Sequence, residues 1–259
     1  MGYIKKIWSA RFFWRHLVSS DLRSKWRRSA LGVLWGVIQP LGLTLLIAFV
    51  FGRVFGADIR TYAPYILSGI IVWEFITASI SAGSMAFIQA DQYIKQCNHP
   101  LAIYSLRTVL LNSYVMIVAS MSLFLWIVIE FPQNFGLTWL SLLVVPIIYL
   151  VMLWPMATIL AYAGTRFRDL QHVLGIVLQA IWFMSPVYLE ERLFRSANLA
   201  PLLDHNPIYH MLELVRAPLL RGSFPTLTNY AYCLGFFIVA LLLSILIGRR
   251  VERKIIFYL

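Results

Sequence analysis

Long apolar runs limit what this 259-residue chain can fold into more than any other feature of its sequence. Hydrophobic residues make up 60% of the chain, charged residues only 13%, and the mean hydropathy is +0.76. A soluble fold of this composition would expose far too much apolar surface. Each run is about long enough for a helix that crosses ~30 Å of hydrocarbon at ~1.5 Å per residue. The runs therefore predict an all-α integral membrane protein.

Six runs are predicted to be transmembrane helices, of which the fifth is the shortest. They lie at about 33–54, 65–87, 108–131, 137–163, 172–188 and 230–248. The first run follows a mostly amphipathic segment that has no small-residue cleavage site, so we expect no signal peptide. The predicted organisation is an interface segment, residues 1–28, followed by a six-helix transmembrane domain, residues 29–259.

Most of the 22 lysines and arginines collect in the segments that would share one side of the membrane. By the positive-inside rule, that side and both chain termini are cytoplasmic. The net charge of +11 then reflects topology and contact with membrane lipids, and not binding to nucleic acid. The residues concerned are Lys5, Lys6, Arg11, Arg15, Arg23, Lys25, Arg27, Arg28, Lys95, Arg107, Arg166, Arg168, Arg249, Arg250, Arg253 and Lys254.

The N-terminal segment is predicted to form an amphipathic helix that lies in the membrane interface. Ile7, Trp14 and Val18 fall on one helical face, while cations at the flanks can reach anionic lipid. Such a helix is either a simple lipid anchor or a collar around a cytoplasmic entrance. A basic cluster then precedes the first span, where a diphosphate would meet the membrane surface, and arginine can bind phosphate with two hydrogen bonds. We predict that a substrate diphosphate contacts Arg23, Lys25, Arg27 and Arg28.

The stretch between the fifth and sixth spans, residues 185–222, neither crosses the bilayer nor resembles an ordinary loop. Proline and charge interrupt its apolar residues too often for a span, which predicts broken or re-entrant helices on the external side. Broken helices at membrane depth survive only inside protein or beside a water-filled path. The stretch therefore indicates a transporter. His210, Glu213 and Arg216 follow at i, i+3 and i+6, which predicts a polar stripe in a gate.

The chain carries no sign of its own energy source or catalysis. It has no G-x-x-x-x-G-K-[ST] loop, no Ser-His-Asp or HExxH arrangement, and two cysteines, Cys97 and Cys233, that match no metal spacing. Glu74 is the only acid well inside a span, and we expect it to pair with a nearby Ser or Thr, or with Arg53. If the chain moves a substrate uphill, the energy must come from another subunit. The cytoplasmic connections 89–107 and 164–171 are the expected contacts.

Four blocks of residues resemble one known family, the transmembrane permease subunits of ABC-type polysaccharide exporters, most closely the Wzm-like O-antigen permeases. The blocks are spread over nearly the whole chain. They comprise Arg27-Arg28-Ser29-Ala30-Leu31-Gly32-Val33-Leu34-Trp35-Gly36 with Gln39-Pro40; Ile94-Lys95-Gln96 with Pro100-Leu101 and Arg107; Phe167-Arg168-Asp169-Leu170; and Ser185-Pro186 followed by Asn206 to Leu220. The last block is the most specific.

The resemblance implies a homodimer in the bacterial inner membrane that exports an undecaprenyl-diphosphate-linked O-antigen polysaccharide through a channel between its two copies. Two ATPase subunits would bind ATP and Mg, so this chain would need no cofactor or metal. Residues 3–28 would hold the interface helix, 89–106 a coupling helix and 186–222 the external gate. Cys97-Asn98-His99 is more polar than the family pattern. The implied ATPase contacts are Asp91, Lys95, His99, Pro100, Arg168 and Asp169, and the implied gate residues are Asn206, Pro207, His210, Glu213 and Arg216.

A glycan channel also suggests which side chains line it. Aromatic rings offer apolar faces to sugar C–H groups without sequence-specific hydrogen bonds. An amide or hydroxyl inside a span needs a partner, which water or a sugar could supply. We predict channel-lining roles for Trp35, Gln39, Phe49, Gln179, Trp182, Ser185 and Tyr188.

Other functions fit less of the sequence. A permease for capsular polysaccharide or teichoic acid would share this architecture. A membrane-embedded glycosyl- or acyltransferase would need a constellation of His, Asp or Glu at a membrane face. An ion-coupled carrier would need more intramembrane charge than the chain has.

Overall fold

The fold is helical throughout the part of the chain that the computed structural model describes, residues 3–27, 29–97, 99–252, 255 and 258. Within these residues no strand occurs, and 3-10 helices form at Gly32–Leu34, Pro132–Asn134 and Leu137–Leu143. The α-helices are, in chain order, α1 (Tyr3–Ser9), α2 (Arg11–Trp26), α3 (Trp35–Phe55), α4 (Ile59–Ser84), α5 (Ala86–Gln89), α6 (Asp91–Gln96), α7 (Ala102–Glu130), α8 (Val145–Arg166), α9 (Leu170–Met184), α10 (Glu191–Ser196), α11 (Ala200–Asp204), α12 (Pro207–Leu220) and α13 (Leu227–Val251).

Among the described residues, five helical segments are long and apolar enough to cross a membrane, which confirms five of the six predicted spans. They are Gly32–Val54, Ile59–Ser84, Ala102–Glu130, Leu137–Arg166 and Leu227–Val251. The predicted fifth span, 172–188, corresponds to α9, which has only 15 residues. At ~1.5 Å per residue α9 is about 22 Å long, shorter than the hydrocarbon core. It ends at Met184 because Pro186 restricts Ser185 to extended backbone.

Helix α4 is the centre of the bundle. It packs against α3, α7, α8, α9 and α12, and 67% of its most apolar stretch is buried within this one chain. Glycine lets α8 approach very closely: an added Cβ on Gly83 would lie 2.7 Å from the Cβ of Ala157, and one on Gly164 would overlap the carbonyl oxygen of Ser84. Such contacts between small residues are typical of membrane helices.

Helices α3 and α13 lie at the outside of the single chain. Only 17% of the most apolar stretch of each is buried, so their apolar side chains face lipid or another protein chain. Helix α9 contacts mainly α4 and α8, and its own outer surface is also apolar, including Ile176 and Phe183. The outer surfaces of α3, α9 and α13 are therefore the places where lipid or another chain would contact the bundle.

The N-terminal segment forms two helices that break at Ala10 instead of one continuous helix. The indole N–H of Trp14 donates to the Ile7 carbonyl across the break at 3.3 Å. Helix α2 packs against α7 with Leu17 buried, while Trp8 and Phe12 stay exposed. The segment therefore has one face on the bundle and a second apolar surface open to the membrane interface.

Candidate functional site

The stretch Ser185–Leu189 is non-helical backbone that lies against the first turns of α4. Its carbonyl groups have no helical partner, and Arg216 of α12 supplies donors for two of them. The guanidinium donates to the carbonyls of Pro186 at 2.7 Å and Val187 at 2.9 Å. Arg216 is only 1% exposed. Its five donors in a planar fork suit several acceptors at once.

Arg216 also binds α4, so it joins three parts of the chain. It donates to the Ser68 hydroxyl at 3.1 Å and the Tyr65 carbonyl at 3.2 Å, and its guanidinium carbon lies 3.7 Å from the centre of the Tyr65 ring. Every partner that the described residues supply is neutral. The charge is therefore stabilised by carbonyl dipoles and an aromatic face, and not by a carboxylate.

Two tyrosine hydroxyls of α4 complete this arrangement. Tyr62 donates to the Tyr188 carbonyl at 2.9 Å, and Tyr65 donates to the Leu189 carbonyl at 3.0 Å. Below them Gly69 lets the stretch lie flat on the helix, because an added Cβ would overlap the carbonyl oxygen of Val187. The non-helical stretch is thus hydrogen-bonded inside the protein, as backbone at membrane depth requires.

The other predicted gate residues also act as braces. The Asn206 amide donates to the Met184 carbonyl at 3.2 Å and the Ser185 hydroxyl at 2.9 Å, and its oxygen caps α12 by accepting from the Ile208 N–H. Pro207 occupies the first turn of α12, where its missing N–H costs nothing. Ser185, predicted to line the channel, is instead buried against Asn206 within this chain.

His210 and Glu213 are buried as well, each with its own partner. His210 lies 2.8 Å from the Asn229 side chain, donates to the Asp204 carbonyl at 2.9 Å, and stacks on Tyr232. Glu213 pairs with Arg221. The predicted polar stripe of His210, Glu213 and Arg216 therefore faces inward onto three separate partners, and no exposed stripe forms on a single chain.

The short outer helices α10 and α11 carry charges that pair among themselves. Arg195 binds Glu191 at 2.6 Å and Asp204 at 3.2 Å, while Arg192 binds Glu190 at 2.6 Å. The hydrogen bond that Arg195 donates to the Glu191 carboxylate raises the pKa of Arg195 further above its usual range. Next to them, burial raises the pKa of Tyr209 to about 12. The acidic and basic side chains of these two helices therefore pair mainly with one another.

An aromatic cluster lies beside the non-helical stretch and joins α3, α4 and α9. Trp182 packs edge-on against Trp73 at 5.3 Å between ring centroids and stacks with Tyr188 at 5.7 Å, and Phe51 contacts Tyr188 at 5.5 Å. Two of the predicted lining residues, Trp182 and Tyr188, are thus brought together. Sequence reasoning missed Trp73 and Phe51, and no local signal distinguishes them from the chain's many other rings.

The remaining predicted lining residues point away from this cluster. Trp35, Gln39 and Phe49 are exposed on the outer face of α3, where the Arg53 guanidinium carbon lies 4.5 Å from the Phe49 ring centre. Phe51 is on the opposite side of that helix. Gln179 is exposed on α9.

One polar strip of α4 remains open although the rest of the helix is largely buried. Glu74, Thr77 and Ser81 are half-buried and Ala78 is exposed, a spacing that places all four on one helical face. The prediction that Glu74 pairs with a nearby Ser or Thr, or with Arg53, is wrong. Thr77 donates to backbone carbonyls, and Arg53 lies over the Phe49 ring. Within the described residues the Glu74 carboxylate has no hydrogen-bond or ion-pair partner.

The predicted ATPase contacts lie on or directly after α6 and in the turn before α9. Lys95 and Asp91 pair at 2.8 Å on exposed α6, the His99 ring packs 4.6 Å from that of Phe13, and Pro100 is buried. The side chains of Arg168 and Asp169 are exposed in the turn before α9.

The predicted entrance residues lie on the last turns of α2. Arg23, Lys25 and Arg27 are exposed, whereas Arg28 lies outside the described residues. Nearby, Asp21 forms a two-bond ion pair with Arg107 of α7. That pair ties the interface helix to the bundle.

Comparison with known proteins adds a family to this geometry. The profile described as ABC-2 type transporter matches residues 13–220. The chain is 20% identical over 242 residues to the O-antigen export system permease protein RfbA of Klebsiella pneumoniae, covering 92% of this chain and 90% of that protein. It is 25% identical over 249 residues to the polysialic acid transport protein KpsM of Escherichia coli, covering 91% and 92%. The RfbA protein of Myxococcus xanthus is 25% identical over 225 residues, covering 86% and 85%.

Proposed function

The chain belongs to the ABC-2 type transporter family of membrane proteins, and on that premise we propose that it is the membrane subunit of an ATP-driven polysaccharide exporter. Relatives named for O-antigen export and for polysialic acid transport match it along about their whole length. The chain is then a transport subunit without an ATPase site of its own. Its substrate class is a long glycan, of the O-antigen type or, as the polysialic acid relative suggests, of the capsular type.

The open strip of α4 is the observation that best supports a passage. A carboxylate and hydroxyls are costly in lipid, so such residues usually face a bundle interior or a water-filled cavity. The described residues of one chain bury Glu74, Thr77 and Ser81 only in part. A second copy of the chain would enclose the strip, and a homodimer with a central polymer channel meets this need.

The aromatic cluster is suited to the external half of that channel. Trp182 and Tyr188 present partly exposed rings next to the non-helical stretch, with Trp73 buried behind them. Rings bind sugars through their apolar faces and allow sliding, because they impose no fixed hydrogen-bond pattern. Residues 186–222 then form the external gate, with Arg216 holding its inner edge.

The fifth crossing is made by α9 together with Ser185–Leu189. At one end, Gln171 donates to the Ser84 hydroxyl at 2.6 Å, and at the other, Tyr62 donates to the Tyr188 carbonyl. These contacts span residues 62–84 of α4, about 33 Å of helix at 1.5 Å per residue. That length equals the hydrocarbon thickness and supports a six-crossing subunit with both termini in the cytoplasm.

Substrate and energy reach the subunit from the cytoplasmic side. The glycan is carried on undecaprenyl diphosphate, and Arg23, Lys25, Arg27 and Arg28 receive the diphosphate at the surface of the bacterial inner membrane. Two partner ATPase subunits bind ATP and Mg. They press on α6 and on the turn at Arg168 and Asp169, whose exposed side chains support a docking role.

Deleting the gene tests the function directly. We expect loss of surface polysaccharide and accumulation of lipid-linked polymer in the cytoplasm, measured by glycan staining of intact and lysed cells. A plasmid copy of the chain should restore export, and the same plasmid should fail when the partner ATPase has lost its ATP-binding lysine. Normal surface glycan in the deletion strain would contradict the proposal.

A further inference from the structure

A cavity of about 340 Å³ lies between α2, the cytoplasmic ends of α4 and α5, and the first turns of α7. Its lining includes Asp21, Lys25, Gln89, Tyr104, Arg107 and Asn112. Along α7 it extends to Asn112, about 15 Å from the start of the helix at Ala102. Because α7 has 29 residues, about 43 Å, it exceeds the hydrocarbon thickness by roughly 13 Å. The cavity therefore occupies the headgroup layer and the first part of the hydrocarbon.

Two side chains of the lining are buried without a partner. The Tyr104 hydroxyl and the Asn112 amide nitrogen have no hydrogen bond within the described part of the chain, and these residues are 1% and 6% exposed. Buried polar groups are nearly always hydrogen-bonded, because leaving one unpaired costs about 1–3 kcal/mol. Both atoms can donate, so each lacks an acceptor.

The charges of the lining point to a negative acceptor. Arg107 is already bound to Asp21 through two hydrogen bonds. Lys25 then remains as a lining cation with no carboxylate partner among the described residues. The Lys25 ammonium lies 6.0 Å from the centre of the Trp26 ring, a contact that does not neutralise its charge. A cation without a carboxylate partner, beside donors that lack acceptors, favours an anion with several oxygen atoms.

We infer that this cavity binds the phosphate group of a membrane lipid, with Lys25, Tyr104 and Asn112 as the binding side chains. The phosphate belongs either to a bilayer phospholipid or to the diphosphate of a polyprenyl carrier, and the chemistry of the cavity is the same for both. Binding of a phospholipid requires only the cavity and a membrane protein around it. Binding of the polyprenyl diphosphate also rests on the proposed function.

Lipid binding to the purified full chain tests the inference by native mass spectrometry. We expect the wild type to retain phosphatidylglycerol or undecaprenyl diphosphate, and to bind diacylglycerol, which lacks phosphate, at least tenfold more weakly. The variants Lys25→Gln and Asn112→Leu should each bind the preferred lipid about tenfold more weakly than the wild type does. Lys5→Gln changes an exposed cation of α1 away from the cavity, so it should bind as the wild type does.

Melting temperatures separate lipid binding from a merely structural role. Without added lipid, Asn112→Leu and Tyr104→Phe should melt no lower than the wild type, because each removes a group that has no partner. When phosphatidylglycerol or undecaprenyl diphosphate is added, the melting temperatures of these variants should rise less than that of the wild type. Equal binding of diacylglycerol, or lipid binding that all the variants leave unchanged, overturns the inference. A preference for one of the two phosphates identifies the source.

Discussion

At the scale of single residues, Arg216 shows how one side chain makes broken backbone stable at membrane depth. Its fork binds the carbonyls of Pro186 and Val187, which no helix satisfies, and it also binds the Tyr65 carbonyl on α4. A sequence shows only that an arginine occurs in the insertion. It does not show that the charge is buried under neutral partners, because two of them, Tyr65 and Ser68, lie more than a hundred residues away on α4.

Replacing Arg216 by methionine should destabilise the protein strongly. Several buried acceptors would lose their donors, at about 1–3 kcal/mol for each. Arg216→Lys should rescue little, because an ammonium group cannot span the same acceptors. Thermal unfolding in detergent measures the loss. The control is Arg192→Met, which breaks an exposed pair worth about 0–1 kcal/mol; a similar loss in both variants would contradict the bracing role.

Glu74 should matter for transport and not for folding. Glu74→Leu removes a carboxylate that has no partner within the described residues, so the melting temperature should stay equal or rise. If the strip faces the channel, export should fall severalfold, and Glu74→Gln should keep most of it. Surface polysaccharide measures export. Ser79→Ala changes a buried side chain on another face of α4 and should leave export unchanged.

At the scale of elements, the close contact of the non-helical stretch with α4 depends on Gly69. Its lack of a side chain brings Val187 onto the helix and places Tyr62 and Tyr65 within reach of the following carbonyls. The proposed fifth crossing depends on this contact, because it adds the non-helical stretch to the length of α9. Counted alone, its 15 residues are too few for a crossing.

Gly69→Ala should destabilise the protein by about 1–3 kcal/mol, because the new methyl overlaps Val187 and must push the stretch away. The matched control is Gly175→Ala in α9, where an added Cβ meets nothing within 4 Å. That variant should gain roughly 0.5–1 kcal/mol of helix stability. Denaturation curves of both variants measure the difference, and a stable Gly69→Ala protein would mean that the stretch does not lie on α4.

The proposed crossing by α9 can be tested through the sides on which its ends emerge. In a chain with Cys97 and Cys233 replaced, Phe167→Cys should react with an impermeant thiol reagent only after the cells are opened. Arg192→Cys should react in cells whose outer membrane alone is permeabilised. Both positions are well exposed, so access is not limited by burial. Labelling of both from the same side would rule the crossing out.

At the scale of the whole molecule, one buried cluster joins distant parts of the chain at the end of the bundle that holds α6. Leu17, Phe87, Ile94 and Tyr162 share a buried cluster with Ile255. A force on α6 would therefore reach α2 and the bundle together. This arrangement suits coupling to a partner that hydrolyses ATP.

Lys95→Glu should weaken the partner ATPase's binding without unfolding the chain. The Lys95–Asp91 pair is exposed and contributes about 0–1 kcal/mol to stability, so the melting temperature should hardly move. Copurification of the ATPase should drop severalfold. Lys5→Glu makes the same charge change on α1, away from the docking face, and should copurify normally. Equal loss with both variants would point to total charge instead of a docking site.

Sequence by itself determined the membrane class, five of the spans and the family likeness, because hydropathy, charge bias and short motifs are local properties that add along the chain. It also located the irregular insertion at 185–222 and two rings of the aromatic cluster, Trp182 and Tyr188. Tertiary structure alone decided that Phe51 and not Phe49 joins those rings, that His210 and Arg216 are buried braces, and that Glu74 stays unpaired. The direction in which a helix face points depends on its neighbours, and in an apolar helix every face looks alike until those neighbours are in place.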